Sequence, residues 1–449
     1  MTHTDQSSAT IFDKPVPGHL RGIKALSPAI VFLILYVAVS VAIGDFYVMP
    51  VTVALAAASV WAVAICRGMR LGKRIEVFSR AAGHTNILYM IWIFVLAGAF
   101  ASLAKGSGAI DATVGLTLHF FPPNYIIPAI FAASCFISMS IGTSVGTVVA
   151  LVPLVVTMAE AAGGNVAFFT ATVLSGAFFG DNLSFISDTT IAATRSQGCG
   201  MADKFKANVW LVVPAALVTL AAYMVMNQGV ELEIPESPRQ WWLIIPYMVI
   251  IITAISGVNV MIVLLCGIAS ALVTGICSGT DLMASCRLMG EGIDSMGQLC
   301  IITLLAAGML GMVNEMGGIS YMLHALTHKV TGIRGAQWCI AAIVSLVNLC
   351  TANNTVAIIT VGSISRDITT HYGLSPQKTA SLLDTCSCIV QCLIPYGAQT
   401  LLATGLAGIS PAATWPYLYY PWALAVMVAL SVIFRFPRYG SVKPGADKR

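Results

Sequence analysis

Charged side chains are scarce in this chain: Asp, Glu, Lys and Arg make up 9% of its 449 residues, where soluble domains carry about 25%. With 57% hydrophobic residues, that scarcity leaves no room for a separate soluble domain. Histidine is sparse too. The seven present, including His84, His324 and His371, fall near expected helix ends or in loops, which weakens any reading that needs a buried haem ligand or an HExxH zinc centre. No GxxxxGK[ST] phosphate loop occurs, so ATP does not drive work through this chain. The twelve cysteines lie mainly in apolar segments without a paired CxxC. Cys386, Cys388 and Cys392 read as small apolar filler rather than as metal ligands or a disulfide framework. The segment ahead of Leu26, with Lys14, Arg21 and Lys24, lacks a small-residue cleavage pattern and is expected to stay attached, on the cytoplasmic side.

What is present is length of apolar sequence. Runs of about 16–21 residues recur along the chain, each matching a bilayer span, so the expected fold is an all-α polytopic membrane protein. Spans are placed near residues 28–45, 48–65, 85–104, 166–194 and 207–226, then 240–256, 258–277, 297–314, 376–404 and 415–435. Between the third and fourth of each set lies a long segment, 124–160 or 334–366, interrupted by polar residues and read as a re-entrant hairpin. The sets align at an offset of about 210 residues: Gly98 meets Gly308, Gly108 meets Gly318, and Ser140–Ser144 meets Cys350–Asn354. The runs 166–194 and 376–404 are both broken, the first at GDNLSFISDTT and the second at QCLIPYGAQ.

Paired interruptions in two halves mark an internal repeat of the secondary-transporter kind. Five crossings per half is odd, so the second half is expected upside down: a tail over 1–27, a first repeat over 28–226, an inverted second repeat over 240–435, and a tail over 436–449. Lys and Arg agree with that layout: 20 of the 23 fall on the cytoplasmic side, including those between Arg195 and Lys206 and at Lys378, leaving Lys105, Arg239 and Arg287 outside. Both termini are then cytoplasmic, in the inner or plasma membrane. The positive charges flank spans, so the expected partner is the lipid bilayer and not nucleic acid. The loop 105–123 fits an interfacial helix and a homodimer contact equally.

The chemistry concentrates in the first break. Asp181 and Asp188 would each cost roughly 2.5–3.5 kcal/mol to insert at mid-membrane, which implies use. A carboxylate sheltered from water favours its protonated form, and a bound sodium ion favours the ionised one, so the two compete. Asp181 and Asp188 are therefore the candidate sodium ligands and proton-coupling groups, although either could instead cap a half-helix. Asn182, Ser184, Ser187 and Thr189 offer neutral oxygens, the donors hard cations prefer. The hairpin tips add Thr143 and Ser144 in GTSVGT, and Asn353, Asn354 and Thr355 in TANNT. Gln391 and Gln399 line the second break. Asp384 is a further proton-coupling candidate, a turn and a half from the expected cytoplasmic end near Pro376, where a partly wet access path is equally open to it. No enzyme activity and no resident cofactor are expected; sodium and protons are cargo.

GDNLSFISDTT, followed by Gly198, Asp203 and Pro214, together with TANNT and LIPYGAQ, resembles the NhaC-type sodium/proton antiporter family of the ion transporter superfamily over about residues 85–435. The resemblance implies cation/proton exchange at Asp181 and Asp188, with hairpin-tip residues Thr143, Ser144, Asn353, Asn354 and Thr355 around the cargo. Relatives also move organic acids or amino acids, which keeps a sodium- or proton-coupled carrier of such solutes as the alternative. The chain departs from the commoner family pattern at Asn182, where His is expected, and at Phe185, where Pro is expected.

Overall fold

The computed structural model describes residues 19–38, 50–109, 112, 125–184, 187–226, 241–256, 258–327, 330–437 and 439. The first half holds α1 (His19–Leu33, continued as a π-helical turn at Ile34–Ala38), α2 (Val51–Ile65), α3 (Leu71–Ala82), α4 (Thr85–Gly106), α5 (Ile126–Ile141), α6 (Ser144–Ala161), α7 (Val166–Leu183), α8 (Asp188–Gln197) and α9 (Met201–Met226). The second half holds α10 (Ile245–Ile255), α11 (Val260–Cys277), α12 (Leu282–Ser295), α13 (Gly297–Glu315), α14 (Gly318–Thr327), α15 (Gly332–Thr351), α16 (Asn354–Tyr372), α17 (Pro376–Leu393), α18 (Ala398–Ala407) and α19 (Tyr419–Phe434). Among the described residues, eight stretches are long and apolar enough to cross a bilayer. The chain is thus an all-helical, multi-pass membrane protein.

The offset seen in the sequence reappears in the backbone. α7 and α17 differ by 210 residues at both ends, as do α8 and α18. Both hairpins turn at equivalent residues in the left-handed region, Gly142 at φ 75° and Ala352 at φ 50°. Alanine pays about 1–2 kcal/mol for that conformation and glycine does not, so the turn itself is kept at some strain in the second half. Packing is reciprocal as well: α3 lies on α13 and α12 on α4, α18 on α6 and α8 on α16, α9 on α17 and α19 on α7. Interchanging the halves therefore reproduces these contacts.

Layering follows from composition. α6, apolar or small apart from Glu160 at its end, is buried nearly all round, as a helix without a polar side must be; the broken runs α7–α8 and α17–α18 are mostly buried too, although they carry Asp181, Lys378 and Asp384 inward. α9 and α11 are the least buried of these spans, with Leu217, Val218 and Val273 outward, which suits contact with lipid tails. The hairpins and broken helices thus form a central layer, wrapped by α9, α11 and their neighbours.

Four elements differ from the sequence expectation, one of them α14, a helix over Gly318–Thr327 where no element was expected. α1 starts at His19, inside the segment expected to be tail. α3 and α12 are helices where loops were expected. Both are amphipathic: α3 sets Phe78 against Gly308 and Ala81 against Gly311 while exposing Leu71 and Ile75, and α12 crosses α4 at Gly98 and Gly292.

Candidate functional site

Breaking a helix strands backbone carbonyls that would otherwise accept bonds one turn on. At the two sides of the break the chain is extended, with Ser184 at φ −67°, ψ 139° and Ser187 at φ −61°, ψ 139°; Phe185 and Ile186 lie outside the described residues. The stranded carbonyls are met by side chains. Asn182 O accepts from Lys204 Nζ at 2.8 Å and Asn208 Nδ2 at 2.7 Å, Ser184 O from Thr190 Oγ1 at 2.9 Å, and Asp181 O from Thr189 Oγ1 at 3.5 Å. This is why small hydroxyl and amide residues crowd the motif. The second break, Ile394–Gly397, has a different origin: Pro395 forces the residue before it out of the helical region, and Ile394 is extended at φ −75°, ψ 131°.

Both tips and the first break converge on a cavity of about 410 Å³ lined by Thr143, Ser144, Asp181, Asp188, Asn353, Asn354, Thr355 and Gln399. Asp181, 3% exposed, accepts the Ser144 backbone N–H at 2.9 Å and the Ser144 hydroxyl at 2.5 Å. Its carboxylate thereby caps the N-terminus of α6, where a negative charge is favoured by the helix dipole. A relay leads to it from the other half. Gln391 Nε2 donates to Gln399 Oε1 at 2.9 Å and to Ala352 O at 3.0 Å, and Gln399 Nε2 donates to Ser144 Oγ at 3.1 Å. Asp188 accepts from Thr355 Oγ1 at 2.7 Å. Among the described residues, neither Asp181 nor Asp188 has a Lys or Arg within ion-pair reach.

The structure sorts the sequence candidates. Asn182, Ser184, Ser187, Thr189 and Gln391 stand behind the cavity wall. Asn182 donates to Phe178 O at 2.9 Å and the Tyr420 hydroxyl at 3.2 Å, and the Ser187 and Thr189 hydroxyls meet at 2.9 Å. Asn353 caps α16 through Val356 N at 3.0 Å, so part of its polarity serves the tip itself. Asp188, expected to be sheltered like Asp181, is exposed, because it starts α8 on the open side of the break. Asp384, for which the sequence leaves a partly wet path open, is fully buried and paired with Lys204 Nζ at 2.5 Å, with Asn208 Nδ2 donating at 3.0 Å.

Lys204, which the charge distribution of the sequence places at the cytoplasmic face, is 1% exposed. Lys378, placed likewise, is buried against Ser431 and Phe436 O. Lys204 and Asn208 share a face of α9 with Leu211, Val212 and Ala215, all buried, so an i, i+4 polar pair extending an inward stripe was the available signal. Tyr89 and Asn259, which meet at 3.1 Å on the cavity's rim, carried no such signal.

The Na+/H+ antiporter family model matches residues 18–227 and 232–437, one stretch in each half. Among characterised proteins, the chain is 21% identical to a malate-2H(+)/Na(+)-lactate antiporter of Bacillus subtilis over 442 residues, covering 91% of this chain and 93% of that protein. It is 23% identical to the Na(+)/H(+) antiporter NhaC of the same organism over 392 residues, covering 79% and 85%. Among solved structures, the Alcanivorax borkumensis YdaH transporter aligns over 91% of this chain and 99% of its own, at 13% identity and a TM-score of 0.41. With the family model covering both halves, and with an all-helical membrane fold built on reciprocal halves, the chain belongs to the Na+/H+ antiporter family and is a secondary transporter.

Proposed function

We propose that the protein exchanges sodium for protons across the cell membrane, with Asp181 as the central ligand and Asp188 as the second carboxylate. The observation that carries this reading is the setting of Asp181: buried, on the wall of a cavity, and, among the described residues, held only by neutral donors with no fixed counter-charge. A carboxylate in that position must take its positive charge from the cargo, as H⁺ or as a cation. Binding of one excludes the other, and that exclusion is the coupling antiport needs. Thr143, Ser144, Asn353, Asn354, Thr355 and Gln399 supply oxygens around the cavity, and hard monovalent cations prefer such donors. Asp384 has its charge matched by Lys204, so we assign proton coupling to Asp181 and Asp188.

The test is direct. In everted vesicles carrying the protein, addition of sodium should dequench a pH-gradient dye in a saturable way; no response to sodium, lithium or potassium would reject the proposal. The size of the cavity favours a second reading, since about 410 Å³ falls within the range of small-molecule sites and one relative is named for malate and lactate. Sodium- or proton-dependent uptake of a labelled small carboxylate, without sodium/proton exchange in its absence, would select that reading.

The inverted arrangement has its own check. A phosphatase fused after Arg287 should be active and one fused after Lys329, which lies outside the described residues, should be silent. The reverse pattern would overturn the proposed orientation with cytoplasmic termini.

A further inference from the structure

Lys204 is held by three oxygens from three separate elements: Asp384 Oδ2 of α17 at 2.5 Å, Thr190 Oγ1 of α8 at 2.7 Å, and Asn182 O at the end of α7 at 2.8 Å. An ammonium has three N–H donors and no acceptor, so each donor has one oxygen. A carboxylate, a hydroxyl and a stranded carbonyl form the donor set that hard cations take. The stranded carbonyl exists because α7 is broken, and the Thr190 hydroxyl is oriented by its own donation to Ser184 O. Two further oxygens beside this donor set, Asn182 Oδ1 and Asn208 Oδ1, are buried and have no hydrogen-bond partner among the described residues. Asn208 presents its Nδ2 to Asn182 O and to Asp384 Oδ2; a half-turn of its amide would put Oδ1 there instead.

We propose that this oxygen cage is a second monovalent-cation site, kept filled by the tethered ammonium of Lys204. It is separate from the Asp181–Asp188 cavity, whose lining includes neither Lys204 nor Asp384, and it stands whichever solute that cavity carries. The fixed ammonium joins α9 of the first half to α17 of the second and adds no ion to the transport cycle. Deleting it exposes a charged cage in which Asp384 lacks its partner, and a diffusible cation of the right size fills the vacancy.

The test uses full-length protein in detergent and thermal melting in choline, sodium or propylammonium chloride; propylammonium restores the atoms deleted in Lys204→Ala. Lys204→Ala should melt lower than wild type in choline. It should recover, saturably, with sodium or propylammonium, by a shift larger than the wild-type response to the same salts. Lys204→Ala/Asp384→Asn, with no charge left to balance, should show only the wild-type response. The proposal is overturned if Lys204→Ala responds to these salts as wild type does, or if the double variant recovers as strongly as the single one. Failure of Lys204→Ala to fold in all three salts while the double variant folds would overturn it too, since the cage would then accept no free cation.

Discussion

Asp181→Asn should abolish sodium-driven proton exchange, leaving the dye signal in everted vesicles no larger than that of vesicles without the protein. The amide has the shape of the carboxylate and its oxygen can still accept the Ser144 N–H that Asp181 now accepts at 2.9 Å, so the cap on α6 survives and the protein should still reach the membrane. What goes is the charge. At an effective dielectric of about 20, a unit charge about 4 Å from a cation is worth about 4 kcal/mol, or close to 10³-fold in affinity. The amide also cannot take up a proton at ordinary pH, so both halves of the exchange fail together. Asp188→Asn should hurt less, because Asp188 is exposed and water screens its field. An Asp181→Asn protein that still exchanges sodium for protons would place the coupling elsewhere.

The sequence made the skeleton of this site legible because a membrane strips the problem to few variables. Length and hydropathy set the spans, and a polar interruption within a span has to be a break or a tip. Hence the hairpin turns at Gly142 and Ala352 and the breaks after Leu183 and Leu393 fall where the repeat places them. The same rule failed for α3 and α12. Lys73, Arg74, Glu76 and Arg80 lower the hydropathy of α3 below that of a span, while Phe78 and Ala81 form a stripe that docks on the glycines of α13. Lys204 failed for the opposite reason. A lysine near the start of a membrane helix normally reaches for the interface, and only the docking of α17 against α9 turns it inward to Asp384. Exposure was the other blind spot: Asp181 and Asp188 look alike in sequence, and their burial differs because one ends a helix inside the core while the other starts one at its edge.

Gly180→Val should cut exchange by about 10²-fold or more in protein that still inserts, because the residue sets the distance between Asp181 and the first hairpin. α5 and α7 meet through small residues four apart on each helix, Ser134 and Ser138 against Gly176 and Gly180, the small-xxx-small contact by which membrane helices approach closely. The Ser138 hydroxyl seals the contact by donating to Ala177 O at 2.5 Å. A Cβ on Gly180 would lie 2.5 Å from Met139 N and closer still to the Ser138 side chain; one on Gly176 would lie 2.9 Å from Phe131 O and 3.0 Å from Cys135 N. Backbone cannot rotate away as a side chain can, so α7 must shift, and overpacking of this kind costs about 1–3 kcal/mol. Asp181 is the next residue after Gly180, so the shift moves its carboxylate away from Ser144, and displacements of about 1 Å at a working site can cost about 10²-fold. The double variant Gly180→Ala/Ser138→Gly separates packing from chemistry. Removing the Ser138 side chain relieves its part of the clash and leaves Met139 N in place, so activity should return in part, above that of Gly180→Ala alone. Wild-type exchange by Gly180→Val, measured in the same vesicle assay at matched protein level, would show that the α5–α7 spacing does not set the geometry at Asp181.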